Sequence, residues 1–170
     1  KMVSAVDSSL NLTINTKSTR NFMNGTGMEH PLENGFAFLQ PYGLPYLAGS
    51  SVKGVLRNTA RLLAEKAFGD EDFGFNADTI EILFGTDPQK EDIKPEHCRR
   101  GALTFWDVIV QPKESAQGKI GMSVDILTPH QSHYLQKGET PHDSGEPNPV
   151  PFLCVGAGAA FNFNITAKPH

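Results

Sequence analysis

Three stretches of this chain alternate apolar and polar residues with a period of two, and one long stretch has the period of a helix, so the fold must mix sheet with helix. Leu10, Leu12 and Ile14 alternate with Asn11, Thr13 and Asn15. Ile120, Met122, Val124 and Ile126 alternate with Gly121, Ser123 and Asp125, and Phe161, Phe163 and Ile165 alternate with Asn162 and Asn164. Each pattern predicts a strand with one buried face. Residues 102–110 are apolar on both sides, which predicts a strand covered on both faces. Pro112 and Gly118 lie between that run and the next, which suits a β-hairpin joining the two. The helix begins where Ser50 and Ser51 supply an N-cap, continues through Val52, Val55, Leu56, Leu63 and Ala67, and stops at Gly69. Residues 78–84 predict a shorter helix closed by Gly85.

Two stretches have no period. Residues 21–49 carry five glycines and three prolines, and residues 128–151 carry five prolines and three histidines. Phe36 to Leu39 form a short extended piece of the first, whose aromatic side chains (Phe22, Phe36, Phe38, Tyr42, Tyr46) argue for a packed loop. The order β, α, β, β, β predicts an α+β, ferredoxin-like domain with long loop insertions, lacking its second helix and last strand. A single domain over 1–170 is expected, incomplete at its C-terminus, because the chain starts at Lys1 and stops just after a strong strand.

Composition narrows the chemistry. At 170 residues and 38% hydrophobic, the chain can bury one core. Nowhere do eighteen apolar residues run together, and no basic stretch leads into an apolar one, so a cytoplasmic protein is expected. Cys98 and Cys154 form no CxxC pair and read as reduced structural thiols, and neither metal nor cofactor is expected. The net charge of −4 argues against indiscriminate polyanion binding through a broad positive surface. Acids concentrate in residues 65–72 and 87–96, so a polyanion site would have to be local.

Residues 45–57 offer one. A small turn at Gly49 delivers the chain into a helix start, where unpaired N–H groups and the positive end of the dipole attract anions, and glycine lets a phosphate come close. Lys53, Arg57 and Arg61 recur every four residues as a cationic stripe. Like charges at this spacing cost about 0.2–0.5 kcal/mol per pair, a penalty that a polyanion along the stripe would reverse. An ordinary amphipathic helix with a solvated basic face gives the same pattern, with Glu65 placed to neutralise Arg61. Capping alone also explains Ser50 and Ser51.

The same residues carry a resemblance. Pro45-Tyr46-Leu47-Ala48-Gly49-Ser50-Ser51-Val52-Lys53-Gly54-Val55-Leu56-Arg57 resembles the PY-x-x-GSS-x-KG-x-x-R signature of RAMP proteins, the ferredoxin-like RNA binders of CRISPR systems. Gly25-Thr26-Gly27 and Glu33-Asn34-Gly35 are similar to the approach to that motif in the small backbone-capping subunit of the Cmr (type III-B) effector complex. Asp125-Ile126-Leu127-Thr128-Pro129-His130, with Tyr134 downstream, and Asn148-Pro149-Val150-Pro151-Phe152-Leu153 resemble its D-V-x-T-P-H and N-P-V-P-x-x-F-L pattern.

The resemblance implies a subunit of antiviral defence that caps the RAMP filament and holds the 3′ region of the guide RNA. Its implied neighbours are the repeated backbone RAMP subunit and the small helical subunits, with target RNA as a further partner and no membrane. Binding is its implied contribution, and cleavage belongs to other subunits, so it is not expected to be an enzyme. RAMP proteins usually end in a second helix and a glycine-rich loop that touches RNA. Neither follows Ile165, so part of the RNA surface is expected to be missing.

Other residues were candidates on chemistry alone. His130, His133 and His142, with Asp143 nearby, suggest a metal site or metal-independent RNA cleavage by His130 or His133, although HxxH in a proline-rich loop more often shapes the loop. Asp107 and Asp125 sit in neighbouring predicted strands and would suit magnesium in the right register, but an acid in an apolar strand is more often hydrogen-bonded and structural. Arg20, Arg99 and Arg100 are candidate phosphate contacts or solvated charges, and Tyr134, Trp106 and Phe22 candidate stacking rings or buried ones. RNA contacts are therefore expected at Gly49, Ser50, Ser51, Lys53, Arg57, Arg61, Arg20, His130 and Tyr134. The alternatives are an endoribonuclease of the same fold that processes guide RNA, and a protein-only scaffold whose basic stripe meets an acidic partner.

Overall fold

The computed structural model describes residues 10–29, 34–87, 98–113, 121–128, 138, 140 and 147–167. In chain order the elements are β1 (Asn11–Lys17), β2 (Phe38–Leu39), β3 (Leu44–Leu47), α1 (Gly49–Ala64), α2 (Ala77–Phe84), β4 (Leu103–Phe105), β5 (Val108–Ile109), β6 (Met122–Leu127), β7 (Val150–Val155) and β8 (Ala160–Ala167). The strands form sheets of order β1-β8-β4, β2-β3-β5 and β6-β7. The chain divides into two compact units, each assembled from separated stretches.

The first unit comprises Lys1–Asn15, Leu47–Val108 and Asn162–His170. It holds both helices, which bury their apolar stripes together: Ala60 of α1 meets Ile80 and Phe84 of α2, with Phe75, Leu83 and Phe105 packed around them. The Phe84 and Phe105 rings stack with centroids 5.7 Å apart. The start of α2 is fixed by a capping box, in which the Asn76 side chain accepts the Thr79 N–H and Thr79 accepts the Asn76 N–H. Gly85 ends it at φ 86°, where a Cβ would press on Arg99 and Gly101. That close approach lets Ala102 N–H reach the Ile82 carbonyl at 2.8 Å, so α2 leads directly toward β4. β4 pairs antiparallel with β8, with Leu103 opposite Ala167 and Phe105 opposite Ile165.

The second unit comprises Thr16–Tyr46 and Ile109–Phe161. Its interior is aromatic: Phe22 meets Phe36 and Phe161 edge to face, with centroids at 6.4 and 5.1 Å, and Phe38 lies 5.2 Å from Phe36. Val110, Cys154, Val155 and Ala159 are buried beside them in the same unit. The expected packed loop over 21–49 is thus a packed segment, and it contains the β2–β3 hairpin, with Phe38 opposite Pro45. Gly25 sits at φ 75° with Ala37 closing over its Cα, so a side chain has no room there.

Four expectations are corrected. The run 102–110 is two short strands rather than one: β4 belongs to the sheet with β8, to which Trp106 N–H still bonds at the Asn164 carbonyl, while β5 joins β3 in another sheet. The expected hairpin between that run and 120–126 is not formed among the described residues: β6 pairs with β7, from Met122 opposite Val155 to Leu127 opposite Val150. β1 has no buried face among the described residues, since Leu12 and Ile14 are 55% and 43% exposed on the end strand of their sheet. α1 ends at Ala64 rather than at Gly69, because Lys66 turns to a positive φ of 56° and Ala67 N–H folds back to the Leu62 carbonyl. No helix among the described residues is long and apolar enough to cross a membrane.

Candidate nucleic-acid interface

The start of α1 differs from the open helix end that the sequence suggested. Its N-cap is Ala48, not Ser50 or Ser51, and no side chain of the cap residue closes it. Asp107 does so from a distance in sequence: its Oδ1 accepts the Gly49 N–H at 2.7 Å. Ser51 and Val52 N–H groups turn to the Ala48 carbonyl at 2.9 and 3.2 Å, which leaves only Ser50 of these first four donors without an acceptor among the described residues. Because Asp107 supplies the anion that a helix start favours, a phosphate at Gly49 would compete with a carboxylate already in place. Glycine is required at 49 for a different reason than phosphate approach: a Cβ there would collide with the Phe105 carbonyl. Asp107 has the structural, hydrogen-bonded role that its apolar surroundings suggested. Asp107 lies between β4 and β5 and Asp125 in β6, which pairs with neither of those strands, so the neighbouring strands expected to carry the two acids are not neighbours in a sheet.

The cationic stripe is also largely spent. Arg57 turns inward, its side chain 17% exposed, donates to the Gly85 carbonyl at 3.0 Å and lies 3.9 Å from Asp87. Burial and then the positive charge of Arg61 lower its pKa from the usual arginine value, with Glu81 opposing. Arg61, 44% exposed, pairs with the same Asp87 carboxylate. The partner expected for Arg61 was Glu65, one turn along the helix, but Asp87 is delivered by the loop after α2 and bridges both arginines. Lys53 is half-buried and has no ion-pair partner among the described residues. Ser50 and Ser51 are exposed beside it. The expectation of a free three-residue stripe is therefore corrected to one unpaired lysine, one exposed arginine on an acid, and one arginine committed to the interior.

Arg20 is exposed and belongs to the second unit. Arg99 and Arg100 are exposed, and their backbone is tied to α2's end through the Arg99–Thr86 bonds and the Gly85–Arg100 bridge. Trp106 is half-buried and donates to Thr166 Oγ1 at 3.2 Å, while Phe22 is committed to the aromatic interior of its unit. His130, His133, Tyr134, His142 and Asp143 lie outside the described residues. Among the described residues no three His, Cys, Asp or Glu side chains gather as metal ligands would. In the second unit, Asp125 accepts from Asn21 at 3.0 Å and from the Ile126 N–H at 2.9 Å, and these bonds hold its carboxyl below the usual aspartate value.

Comparison with known proteins places this geometry in a family. A model of the RAMP superfamily matches residues 18–161. The chain is 30% identical, over 171 aligned residues, to a protein of Pyrococcus furiosus named CRISPR system Cmr subunit Cmr6, covering 77% of this chain and 50% of that one. It spans about half the length of that curated relative. A cryo-EM structure of the type III-B Cmr-beta bound to cognate target RNA contains a chain with the same fold, at a TM-score of 0.65 and 20% identity, covering 99% of this chain and 51% of that one. The crystal structure of Cmr6 from Pyrococcus furiosus matches at a TM-score of 0.45 and 25% identity, over 97% of this chain and 86% of that one. The fold is thus the α+β, ferredoxin-like RAMP arrangement, and the chain belongs to the RAMP superfamily as a RAMP protein of the Cmr kind.

Proposed function

We propose that this chain is a non-catalytic, RNA-holding subunit of a type III-B CRISPR (Cmr) ribonucleoprotein in cytoplasmic antiviral defence. It grips the 3′ region of the guide RNA by its backbone and caps the RAMP filament. Its partners are the repeated backbone RAMP subunit, the small helical subunit and, in the assembled particle, target RNA. The observation that carries this reading is the superfamily match over residues 18–161, which spans the turn and helix start of α1. The name of the Pyrococcus relative and the target RNA in the type III-B particle support the choice of complex.

Lys53, with Ser50 and Ser51 beside it, is the part of that start free to meet a strand. Arg61 joins them by exchange: its side chain stays 44% exposed while it pairs with the 13% exposed Asp87, which keeps Arg57 as a partner, so a phosphate can reach Arg61 from solvent. Arg57 holds the helix in place and sets the stem of the row. Arg20, His130 and Tyr134 are further contacts in this reading. Cations and N–H groups hold phosphates without reading bases, which suits a subunit that must accept any guide.

The test is incubation with labelled guide RNA in the absence of divalent metal. Binding without cutting, weakened by salt and by Lys53→Glu, is the expected result. Cut product that disappears in His130→Ala would establish an endoribonuclease instead. Assembly with other Cmr subunits without any RNA affinity would establish a protein-only scaffold.

A further inference from the structure

Between α1 and α2, within the first unit, lies a cavity of about 400 Å³ lined by Arg57, Arg61, Phe75, Ile80, Glu81 and Asp87. That volume falls in the range of small-ligand sites, about 300–1,000 Å³, and the lining is more highly charged than is usual for them, with Phe75 and Ile80 as its apolar wall. The polar groups are unequally satisfied. Arg57 Nε is buried with no acceptor among the described residues. A donor left in that state costs free energy until an acceptor reaches it. Glu81 accepts the Thr86 hydroxyl at 3.0 Å through Oε1, and its carboxylate has acceptor capacity to spare.

Charge decides what kind of group enters. Two arginines and three carboxylates, Asp87, Glu81 and Glu65, line the cavity, so a phosphate held on Arg61 leaves no cation over for a second anion further in, whereas a neutral ring adds no charge. The ring must offer an acceptor to the guanidinium side and a donor to the carboxylate side, and it must pack on Phe75 and Ile80. Guanine meets all three demands. Its O6 and N7 are neighbouring acceptors suited to arginine, its N1–H and N2–H₂ are neighbouring donors suited to a carboxylate, and its face stacks on an aromatic ring. Uracil offers a carboxylate the single donor N3–H, where guanine offers two side by side.

We infer that the α1–α2 cavity holds the unpaired guanine base of single-stranded RNA, reading a base beside a backbone grip that reads none. This inference rests on the RNA-holding function proposed above. It adds a base site beside the grip: Lys53 is not among the cavity's residues, and Arg61 stands at the border of the two.

The experiment uses this chain and two fluorescent single-stranded oligoribonucleotides of equal length, one all uridine and one with a single central guanosine, with affinities read by anisotropy. The expected result is about tenfold tighter binding of the guanosine oligonucleotide, one well-formed base contact's worth. That preference should fall to within about twofold in Glu81→Gln, with the uridine affinity unchanged. Phe75→Leu, which keeps an apolar wall, should shrink the preference as well. If the uridine strand binds and the guanosine adds nothing, or if the preference survives both substitutions, the cavity assignment is overturned and the backbone grip stands. If neither strand binds, the RNA-holding reading falls and this one falls with it.

Discussion

The carboxylate of Asp107 accepts the backbone N–H of Gly49 at 2.7 Å, joining the segment between β4 and β5 to the first residue of α1. Asp107 thereby does the work of an N-cap from 58 positions away in sequence. Replacing an N-cap acceptor by alanine costs about 0.5–2 kcal/mol, and we expect Asp107→Ala to lose about 1 kcal/mol in urea unfolding. Asp107→Asn, which keeps an acceptor, should lose less. Gly49→Ala should cost more than either, because its Cβ must displace the Phe105 backbone rather than a flexible side chain.

Asp87 is the acid that both arginines share, and its removal separates their roles. In Asp87→Asn we expect guide RNA to bind about two- to fivefold more tightly, since Arg61 no longer has to exchange a carboxylate for a phosphate. Stability should fall by about 1–3 kcal/mol, because Asp87 is only 13% exposed and also faces the largely buried Arg57. Anisotropy and urea unfolding on the same preparation measure both quantities.

Arg57 and Arg61 should diverge under mutation although they look equivalent in sequence. Arg57→Ala strips the Gly85 carbonyl of its side-chain donor at the end of α2 and should cost about 1–3 kcal/mol. Arg61→Ala should stay within about 1 kcal/mol, as an exposed ion pair does. Equal losses would mean that the two residues share one environment after all.

Which parts were legible follows from what periodicity encodes. α1 is readable from the helical spacing of Val52, Val55, Leu56 and Leu63, although only Val52 of these is buried and Val55 and Leu56 face out, and β8 because Phe161 and its successors alternate. Alternation says that a strand exists but not which strand pairs with it, so β6 was matched to its predecessor in sequence when its partner is β7. Nor does it say whether anything covers the apolar face, which is why Leu12 and Ile14 looked buried and are exposed. The charge spacing of α1 was plain, yet its partner Asp87 lies 26 positions from Arg61 in a loop with no period. A stripe looks free in sequence whenever the acid that meets it comes from another element.

Asp125 gives a prediction in pH. Its bonds from Asn21 and the Ile126 N–H lower its pKa in the folded state, so the stabilisation they give is present above the unfolded aspartate value. It is lost as pH falls through the lower, folded value. In a carboxyl NMR titration Asp125 should therefore titrate below the ordinary aspartate range, and Asn21→Ala should move it back upward. An Asp125 that titrates normally in the unsubstituted chain would show that the Asn21 bond does not form in solution.

The central claim is that RNA is held electrostatically at the first turn of α1, and the slope of log affinity against log salt concentration tests it most directly. For single-stranded guide RNA each phosphate contact contributes a slope of about −0.7. Lys53→Glu should make the slope shallower by at least about that amount and weaken binding at low salt, with the two proteins converging at high salt. A slope that is the same in both proteins, at equal affinity, would contradict the claim and move the RNA away from this helix.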